Sequence, residues 1–486
     1  MRRGGRRGAR GGPLHRGARS GGGGALPVAR RGQAAPGTGV AVIGAGAAGL
    51  AAAWTLERAG VAVEVFERSD RPGGRLRTEP FEGADVEVGA QFLASHQTET
   101  LRIAREIGAA ELLARAPGRD ALWRNGRAHA IQYGSVPSMI TSGALPAGLK
   151  LRMASRYVPF LSRHGAVLDP NDIGPAVAAG LDDASIAEWG LQRLGADFVE
   201  FLARPQTAAY YGSEPERTSA ALYHSLAAAA LDLRLVRVRG GMGELARRWV
   251  EALAAEGGTV RLRAAVSSVR NDSSGRVVVA SGEGEWTFRS AIVATPPARA
   301  ADILDGTPVA APLRAIESGG SALLAVALDR PWRPGWFGLG LPRAAPGGRE
   351  VAVVASAAGR ASGLSAAHDR IALVFPAPGA LADPPRADPR ETFDALWPLA
   401  RSLIGGERGP DATRARLYRE ESGHSLFPPG FGARLRDLRA AERPAGVWLA
   451  GDYLVSPSVE GAVRSGLNAA RGVLDFLAGR EAGYPE

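Results

Sequence analysis

Two glycine-rich loops and the acid between them predict that the protein binds a phosphate-containing ligand. The first loop places Gly44, Gly46 and Gly49 in the spacing G-x-G-x-x-G. There the first glycine allows a tight turn, the second lets backbone approach a pyrophosphate, and the third lets a helix pack on a strand. Glu67 follows Gly44 by 23 residues, close to the roughly 20 expected for an acid that binds ribose hydroxyls. This pattern predicts a dinucleotide site. The carboxylate disfavours the 2′-phosphate of NADP, whereas NAD and FAD both remain open.

The second loop, Gly73-Gly74-Arg75, follows directly after this acid. An arginine behind two glycines can lay its guanidinium, together with the loop amides, along an anionic diphosphate. The alternative is a simple glycine turn with a solvated arginine. Ordinary NAD sites manage with the first loop alone, so a second loop favours the longer FAD.

Hydrophobic patterns indicate the elements that must position these loops. Order is expected to begin near Thr38, with the strand "GVAVIGAG", the helix "AAGLAAAWTLERAG" and the strand "VAVEVFE" forming a βαβ unit. Residues 96–234 are mainly helical in pattern. Turns at 271–272 and 282–284 predict antiparallel strands around them. Residues 298–440 are rich in strands and contain a helix near 390–404, so we expect two discontinuous domains threaded through each other.

Composition excludes several classes of function. The chain has 486 residues, typical of two domains, and no cysteine, so disulfides, thiolate metal sites and cysteine-linked cofactors are excluded. Its formal charge is +10, but residues 1–37 hold nine arginines and no acid, which leaves the rest near +1. We therefore expect no specific nucleic-acid partner.

The first 37 residues are predicted to be a disordered tail, with nonspecific RNA or anionic-surface binding as the alternative. The histidines show no ligand spacing, so no metal is assigned.

Segments at both ends of the chain resemble one family. "VIGAGAAGLAAAWTL", "VEVFERSDRPGGRLRT" and "DVEVGAQF" are similar to the N-terminal motifs of the flavin amine oxidase superfamily. Further segments match in the expected order: "RGGMGELARRW" (239–249), "IVATPP" (292–297) and "LAGDYLVSPSVEGAVRSGLNAA" (449–470). The resemblance covers residues 38–478. It implies an α/β fold in which a Rossmann-like FAD-binding domain of the GR2 type (38–95, 235–297 and 440–478) is interleaved with an α+β substrate-binding domain (96–234 and 298–439).

The resemblance also implies which residues contact FAD. The first loop would hold the pyrophosphate, Glu67 the adenosine ribose, and the second loop the pyrophosphate and ribityl path. Residues 89–91 would pass near the isoalloxazine, Val266 would meet adenine, residues 451–452 the ribityl or phosphate region, and Val459 the flavin pyrimidine edge. The full predicted set is Gly44, Gly46, Ala48, Gly49, Glu67, Arg68, Gly74, Arg75, Leu76, Gly89, Ala90, Gln91, Val266, Gly451, Asp452 and Val459.

Two departures from amine oxidases bear on the substrate. Those enzymes resemble one another in a lysine near the flavin and an aromatic cage around the amine. Here the only lysine, Lys150, lies in the helical region, and not within 320–345, where that lysine is expected. The cage position before "EGA" is Ser458 rather than an aromatic. The C-terminal motif instead resembles protoporphyrinogen oxidases and phytoene desaturases. The neighbouring Glu460 is expected to cap its own helix rather than to act in catalysis.

The segment 144–165 mixes apolar residues with Lys150 and three arginines. It predicts either a surface that rests on a membrane or an ordinary lid helix with an apolar inner face. No window approaches the roughly 20 apolar residues of a membrane span. We expect a cytoplasmic protein, with membrane-peripheral attachment as the alternative.

Together these patterns predict an FAD-dependent oxidoreductase that removes a hydride and a proton from its substrate. The substrate is expected to be an organic small molecule that is bulky and apolar. Oxygen or another electron acceptor would reoxidise the flavin. A flavin amine or amino-acid oxidase is the second hypothesis, and a non-catalytic flavin-binding scaffold is the third. The sequence assigns no catalytic side chain and no oligomeric state.

Overall fold

The computed structural model describes residues 38–480 except 117–118, 231–232, 361–365 and 406–407, so the predicted disordered tail lies outside the described residues. In chain order, the strands β1 to β20 are Val40–Ile43, Val63–Phe66, Thr78–Phe81, Ala84–Glu87, Leu93–Ala94, Leu113–Arg115, Arg119–Arg124, Arg127–Ile131, Leu235–Val238, Thr259–Arg261, Val266–Asn271, Val277–Ser281, Gly284–Phe288, Ser290–Val293, Ser318–Leu328, Trp336–Gly340, Val351–Ser356, Ile371–Pro376, Ala412–Ser425 and Val447–Leu449.

The helices α1 to α17 are Ala47–Arg58, Thr98–Glu106, Val136–Thr141, Ala147–Arg152, Val158–His164, Gly174–Ala178, Ile186–Arg193, Ala196–Phe198, Arg204–Tyr211, Ala220–Ala229, Met242–Glu256, Pro297–Ile303, Ala310–Arg314, Ala357–Arg360, Pro389–Ile404, Phe431–Ala440 and Val459–Leu477. Two π-helical turns, Met153–Tyr157 and Val199–Ala203, join α4 to α5 and α8 to α9.

A parallel sheet of five strands, in the order β10-β2-β1-β14-β20, forms the first layer of the fold. The strands β1 and β14 are buried along their whole length, as expected for a parallel sheet covered on both faces. One face packs against α1, α11 and α17, and the other against the antiparallel strands β11 to β13 with α12 and α16. The predicted βαβ unit and the predicted antiparallel strands are both confirmed.

A second sheet has seven strands in the order β19-β15-β18-β17-β16-β7-β8. Its neighbouring strands are antiparallel except for β16 and β7. The helix predicted near 390–404 is α15, which begins at Pro389 behind the N-cap Asp388 and packs on this sheet. Helices between α4 and α10 form a separate lobe around buried aromatic side chains. The fold is thus the predicted α/β class, while the assignment of segments to two domains remains a prediction.

No helix among the described residues is both long enough and apolar enough to span a membrane.

Candidate functional site

The carboxyl ends of the parallel strands open onto a large cavity. Its volume is about 1280 Å³, and its wall includes residues that follow β1, β2, β14 and β20. The wall continues on α9, β15, β19 and the segment 375–384. The crevice outside the carboxyl ends is where open α/β sheets bind ligands. The volume exceeds the roughly 300–1000 Å³ of one small-molecule pocket, so two molecules can lie here side by side.

Every predicted cofactor residue except Gly49 borders this cavity. Gly49 lies behind the first loop, where a Cβ atom would come within 1.9 Å of the carbonyl oxygen of Gly44. The residues that border the cavity are Gly44, Gly46, Ala48, Glu67, Arg68, Gly74, Arg75, Leu76, Gly89, Ala90, Gln91, Val266, Gly451, Asp452 and Val459. The structure brings them together; their individual roles toward a cofactor remain predictions.

The first glycine loop leaves space for a ligand to approach the protein backbone. Gly44 has a φ of +107°, and a Cβ there would lie 2.7 Å from the carbonyl oxygen of Ala294. At Gly46, by contrast, a Cβ would meet no atom within 4 Å. Helix α1 begins behind Gly46 with no side-chain cap and no acid in its first turn. Its free amides and positive dipole end are therefore available to an anion in the cavity.

Glu67 is buried at the end of β2 and is tied to the first loop. Its Oε2 accepts a hydrogen bond of 2.8 Å from the amide of Ala45. Its Oε1 accepts from the amide and the hydroxyl of Ser69, at 2.9 and 2.6 Å. Since a carboxylate has about four lone-pair sites, it can still accept from hydroxyls in the cavity. These bonds hold the acid rigidly at the cavity wall.

The second glycine loop packs directly on the first. The amide of Gly73 donates to the carbonyl of Ala45 at 2.7 Å, and Gly73 forms a parallel bridge with Gly46. Gly73 and Gly74 have φ angles of +104° and +53°, which favour glycine. The guanidinium of Arg71 donates to the carbonyl of Gly74 at 3.1 Å. The second loop therefore supports the first, in addition to bordering the cavity itself.

Arg75 and Asp452 were predicted as separate cofactor contacts, and the structure joins them as one ion pair. The two guanidinium nitrogens donate to the two carboxylate oxygens at 3.0 and 2.6 Å. Burial alone would lower the pKa of Arg75, but the charge of Asp452 raises it above its usual range. This pair links two segments that are 377 residues apart. The guanidinium is thus directed by Asp452 and does not lie free along the cavity.

Residues 89–91 rest on the second loop. The amide of Ala90 donates to the carbonyl of Arg75 at 2.9 Å, and a Cβ on Gly89 would lie 2.0 Å from the same oxygen. The side-chain amide of Gln91 donates to the carbonyls of Glu87 and Gly89 at 2.8 and 2.9 Å. The close approach explains why glycine occupies position 89.

Thr295 is a cavity residue that the site prediction missed. It follows β14 in the segment "IVATPP", and its buried hydroxyl has no hydrogen-bond partner among the described residues. Such an orphaned group is unusual in a folded protein and suits a ligand contact. The position of the segment behind a strand end was the available signal. With the open Gly46 and the uncapped α1, this hydroxyl fits a ligand that carries a pyrophosphate.

The remaining wall carries apolar side chains beside charged ones such as Arg217, Arg419 and Glu420. It includes aromatic and aliphatic side chains from five separate segments: Phe92, Tyr210, Leu323, Phe375 and Leu426. Lys150 does not border the cavity, because its ammonium donates to the carbonyls of Ile140 and Ser142 at 2.6 and 2.7 Å. Ser458 does border it, and its hydroxyl caps α17 by accepting from the amide of Gly461 at 2.9 Å.

The expectation that Glu460 caps its own helix is wrong. Its fully buried carboxylate accepts from the amides of Glu99 and Thr100, at 2.9 and 2.8 Å, and from the hydroxyl of Thr100 at 2.7 Å. Arg464 donates to it at 3.0 Å. The acid therefore caps the neighbouring helix α2 and fixes it against α17 at the edge of the cavity.

A family model for flavin-containing amine oxidoreductases matches residues 47–474. The chain therefore belongs to that family and is an FAD-dependent oxidoreductase. We accordingly assign FAD to the cavity. Among curated relatives, "Putative flavin-containing monoamine oxidase AofH" of Mycobacterium tuberculosis is 33% identical over 269 residues, which cover 53% of this chain and 57% of that protein.

A second relative belongs to the porphyrinogen branch. Coproporphyrinogen III oxidase of Staphylococcus aureus is 25% identical over 183 residues, covering 37% of this chain and 38% of that enzyme. The matches thus span 57% and 38% of the lengths of these two curated relatives. Among solved structures, cyclohexylamine oxidase from Brevibacterium oxydans superposes with a TM-score of 0.69 over 91% of this chain and 100% of its own, at 20% identity. That likeness establishes the fold alone.

Proposed function

We propose that this protein oxidises a bulky apolar substrate with FAD, removing a hydride and a proton to leave a new double bond. The observation that carries the proposal is that Leu323 and Ser458 border the cavity where amine oxidases are expected to carry a lysine and an aromatic residue. Leu323 occupies the cavity-facing part of β15, within the range where amine oxidases are expected to carry a lysine. Ser458 stands at the expected cage position. The likeness to a coproporphyrinogen III oxidase supports a bulky substrate that is dehydrogenated at carbon rather than a simple amine.

The chain's own groups would bind and orient FAD as follows. The first glycine loop and the amino end of α1 would receive the pyrophosphate, and Glu67 the adenosine ribose. The pair Arg75–Asp452 would border the ribityl path. The amino end of α17, at Val459, would direct a positive helix dipole toward the flavin pyrimidine edge. When bound, FAD supplies the hydride acceptor.

The first experiment measures flavin binding and then flavin reduction. We expect the purified protein to show flavin absorbance, or to gain it when FAD is added. Under anaerobic conditions, the absorbance should bleach with porphyrinogens or carotenoid precursors but not with polyamines or amino acids. Absence of flavin binding would contradict the assignment of the cavity. Bleaching by amines alone would contradict the apolar substrate class.

An amine or amino-acid oxidase is the second candidate. It is supported by the 33% identity with the relative named as a monoamine oxidase. The same reduction assay separates the two candidates, because they differ in which half of the compound panel reduces the flavin. Family membership favours either enzyme over a non-catalytic scaffold, which would bind FAD without being reduced by any compound.

We also propose that the helical lobe touches an anionic membrane surface. Three of its apolar side chains are strongly exposed, namely Leu151, Val158 and Leu191, at 71, 58 and 54%. Exposed Arg156 and Arg163 lie in the same lobe, and their charge complements anionic lipid.

The test is co-sedimentation with vesicles of phosphatidylglycerol or of phosphatidylcholine. Binding to the anionic vesicles should be lost in Leu151→Asp/Val158→Asp and kept in Phe476→Ser, a control at an exposed apolar residue of α17. Equal binding to both vesicle types, or no binding at all, would contradict the proposal.

A further inference from the structure

Strand β19 is irregular where it meets the cavity. Gly319 on β15 pairs with His424, but Ser321 pairs with Glu420, so residues 421–423 lie opposite Gly320 alone. Bulges of this kind bend a strand, re-aim its side chains and are frequent beside active sites. A Cβ on Gly423 would lie 2.1 Å from Oγ of Ser321 on β15, so the bulge depends on glycine at position 423. The residue that resumes the pairing, on the cavity wall, is His424.

A second glycine makes room for the histidine ring. Gly212 ends α9 in the left-handed conformation, with a φ of +58°. A Cβ at this position would lie 2.5 Å from Cδ2 and 2.8 Å from Nε2 of His424. The ring is half-buried, and among the residues that the structure describes neither of its nitrogens has a hydrogen-bond partner. Packing therefore fixes the ring while leaving its polar atoms to whatever occupies the cavity.

Burial, more than the charges around it, favours the neutral form of His424. Burial and the positive charge of Arg75 lower the pKa of His424 to about 4, while Asp452 opposes the shift. The titratable groups on the elements packed around it that also border the cavity are Tyr210 and Tyr211 on α9 and the strand neighbours Tyr418, Arg419, Glu420 and Glu421. Because an anion in the cavity would favour the charged imidazole, bound FAD should raise this pKa toward the physiological range.

Three of the other carboxylates on the wall are already engaged, while Glu420 and Glu421 also border the cavity. Glu67 accepts three hydrogen bonds, Asp452 is paired with Arg75, and Glu214 forms an ion pair with Arg343 at 2.6 Å. His424 lies on the substrate side of the cavity, facing the ion pair of the predicted cofactor side. It is thus a neutral, unengaged base at the boundary between the two halves.

We propose that His424 is a catalytic residue that accepts the proton released when the substrate is oxidised. This inference rests on the proposed function. A substrate C–H bond breaks and its electron pair leaves with the hydrogen as hydride to FAD. A hydrogen on the adjacent atom leaves as a proton to an imidazole nitrogen, and its bonding electrons form the new double bond. The imidazolium then returns the proton to solvent.

The test compares holoenzyme variants by anaerobic stopped-flow reduction of the flavin across pH, with the compound that bleaches the wild type. His424→Gln should slow reduction by about 100-fold or more, in line with general base catalysis, while FAD affinity stays unchanged. Added imidazole should restore part of the rate of His424→Ala, which leaves a space beside Gly212. His129→Gln, outside the cavity, should match the wild type. A rate within threefold of wild type in His424→Gln, or a loss that imidazole does not restore, would overturn the role.

A measurement that needs no substrate separates this inference from the proposed function. Diethyl pyrocarbonate modifies neutral, accessible imidazoles, and peptide mass spectrometry identifies the modified residue. His424 should react in the FAD-free protein and be protected in the holoenzyme. An unreactive His424 would refute an available base, whatever compound reduces the flavin. If no compound bleaches the wild type, the proposed function fails, and with it the proton transfer.

Discussion

Gly46 and Gly49 allow the dinucleotide site to be tested without changing a charge. They lie three residues apart, Gly46 at the N-cap of α1 and Gly49 in its first turn, but an added methyl group meets different surroundings. At Gly46 it would meet no atom within 4 Å, and φ is −78°, which any residue adopts. At Gly49 it would lie 1.9 Å from the carbonyl oxygen of Gly44. We expect Gly46→Ala to spare the fold and impair FAD binding, and Gly49→Ala to impair the fold itself.

The magnitudes follow from these contacts. If Gly46 receives the pyrophosphate as predicted, the methyl group of Gly46→Ala would hold the phosphate away from the loop amides, and losing one hydrogen bond to a charged group costs about 1.5–3 kcal/mol. At about 1.4 kcal/mol for each tenfold, the Kd for FAD should rise about 10- to 100-fold. The free energy of unfolding of the FAD-free protein should change by less than about 1 kcal/mol. Gly49→Ala should lower it by about 1–3 kcal/mol or more, because a backbone oxygen cannot rotate away as a side chain can.

The assay is FAD titration by fluorescence quenching, combined with urea unfolding of the FAD-free protein. Gly165→Ala is the matched control, since its Cβ would also meet no atom within 4 Å and it does not border the cavity. It should leave both quantities unchanged. If Gly46→Ala binds FAD as tightly as the control, the loop does not approach the pyrophosphate. If Gly49→Ala is as stable as the control, the close helix–strand packing is not required.

Two further substitutions test buried carboxyl groups. Glu460→Gln should lower the free energy of unfolding by about 1.5–3 kcal/mol, because an amide replaces the charged acceptor that caps α2; a melting temperature equal to wild type would contradict this. Burial raises the pKa of Glu87 to about 8, although Thr78 and the amide of Met242 bind its carboxyl. Since the folded protein holds this proton between pH 4.5 and 8 and the unfolded chain does not, stability should fall as pH rises through that window. At 1.36 kcal/mol per pH unit the loss is at most about 5 kcal/mol. Urea titrations of Glu87→Gln should lack this part of the slope, and identical slopes would contradict the shift.

Local rules predicted the elements that have local causes. The first βαβ unit follows from buried strands, small residues and a spacing of glycines that sterics require. The helix α15 follows from the N-cap Asp388 and the proline behind it. In each case the stabilising contact lies within a few residues of the signal, so the pattern and the structure coincide.

Contacts between distant segments were beyond these rules. Glu460 carries the sequence signal of a capping acid, yet its partners Glu99 and Thr100 are about 360 residues away. Arg75 and Asp452 were each predicted at the cavity, but nothing in either segment indicates that they pair with each other.

Contacts between distant segments also limit what the sequence can predict about the substrate. The cofactor side of the cavity is built from short motifs because a diphosphate needs fixed backbone geometry. The substrate side is built from single residues on α9, β15, β19 and the segment 375–384, which only tertiary packing brings together. His424 reaches the wall through a bulge and through the missing side chain of Gly212, neither of which has a sequence pattern of its own. Substrate identity therefore depends on the shape and charge of the wall, to which the bulge in β19 contributes His424.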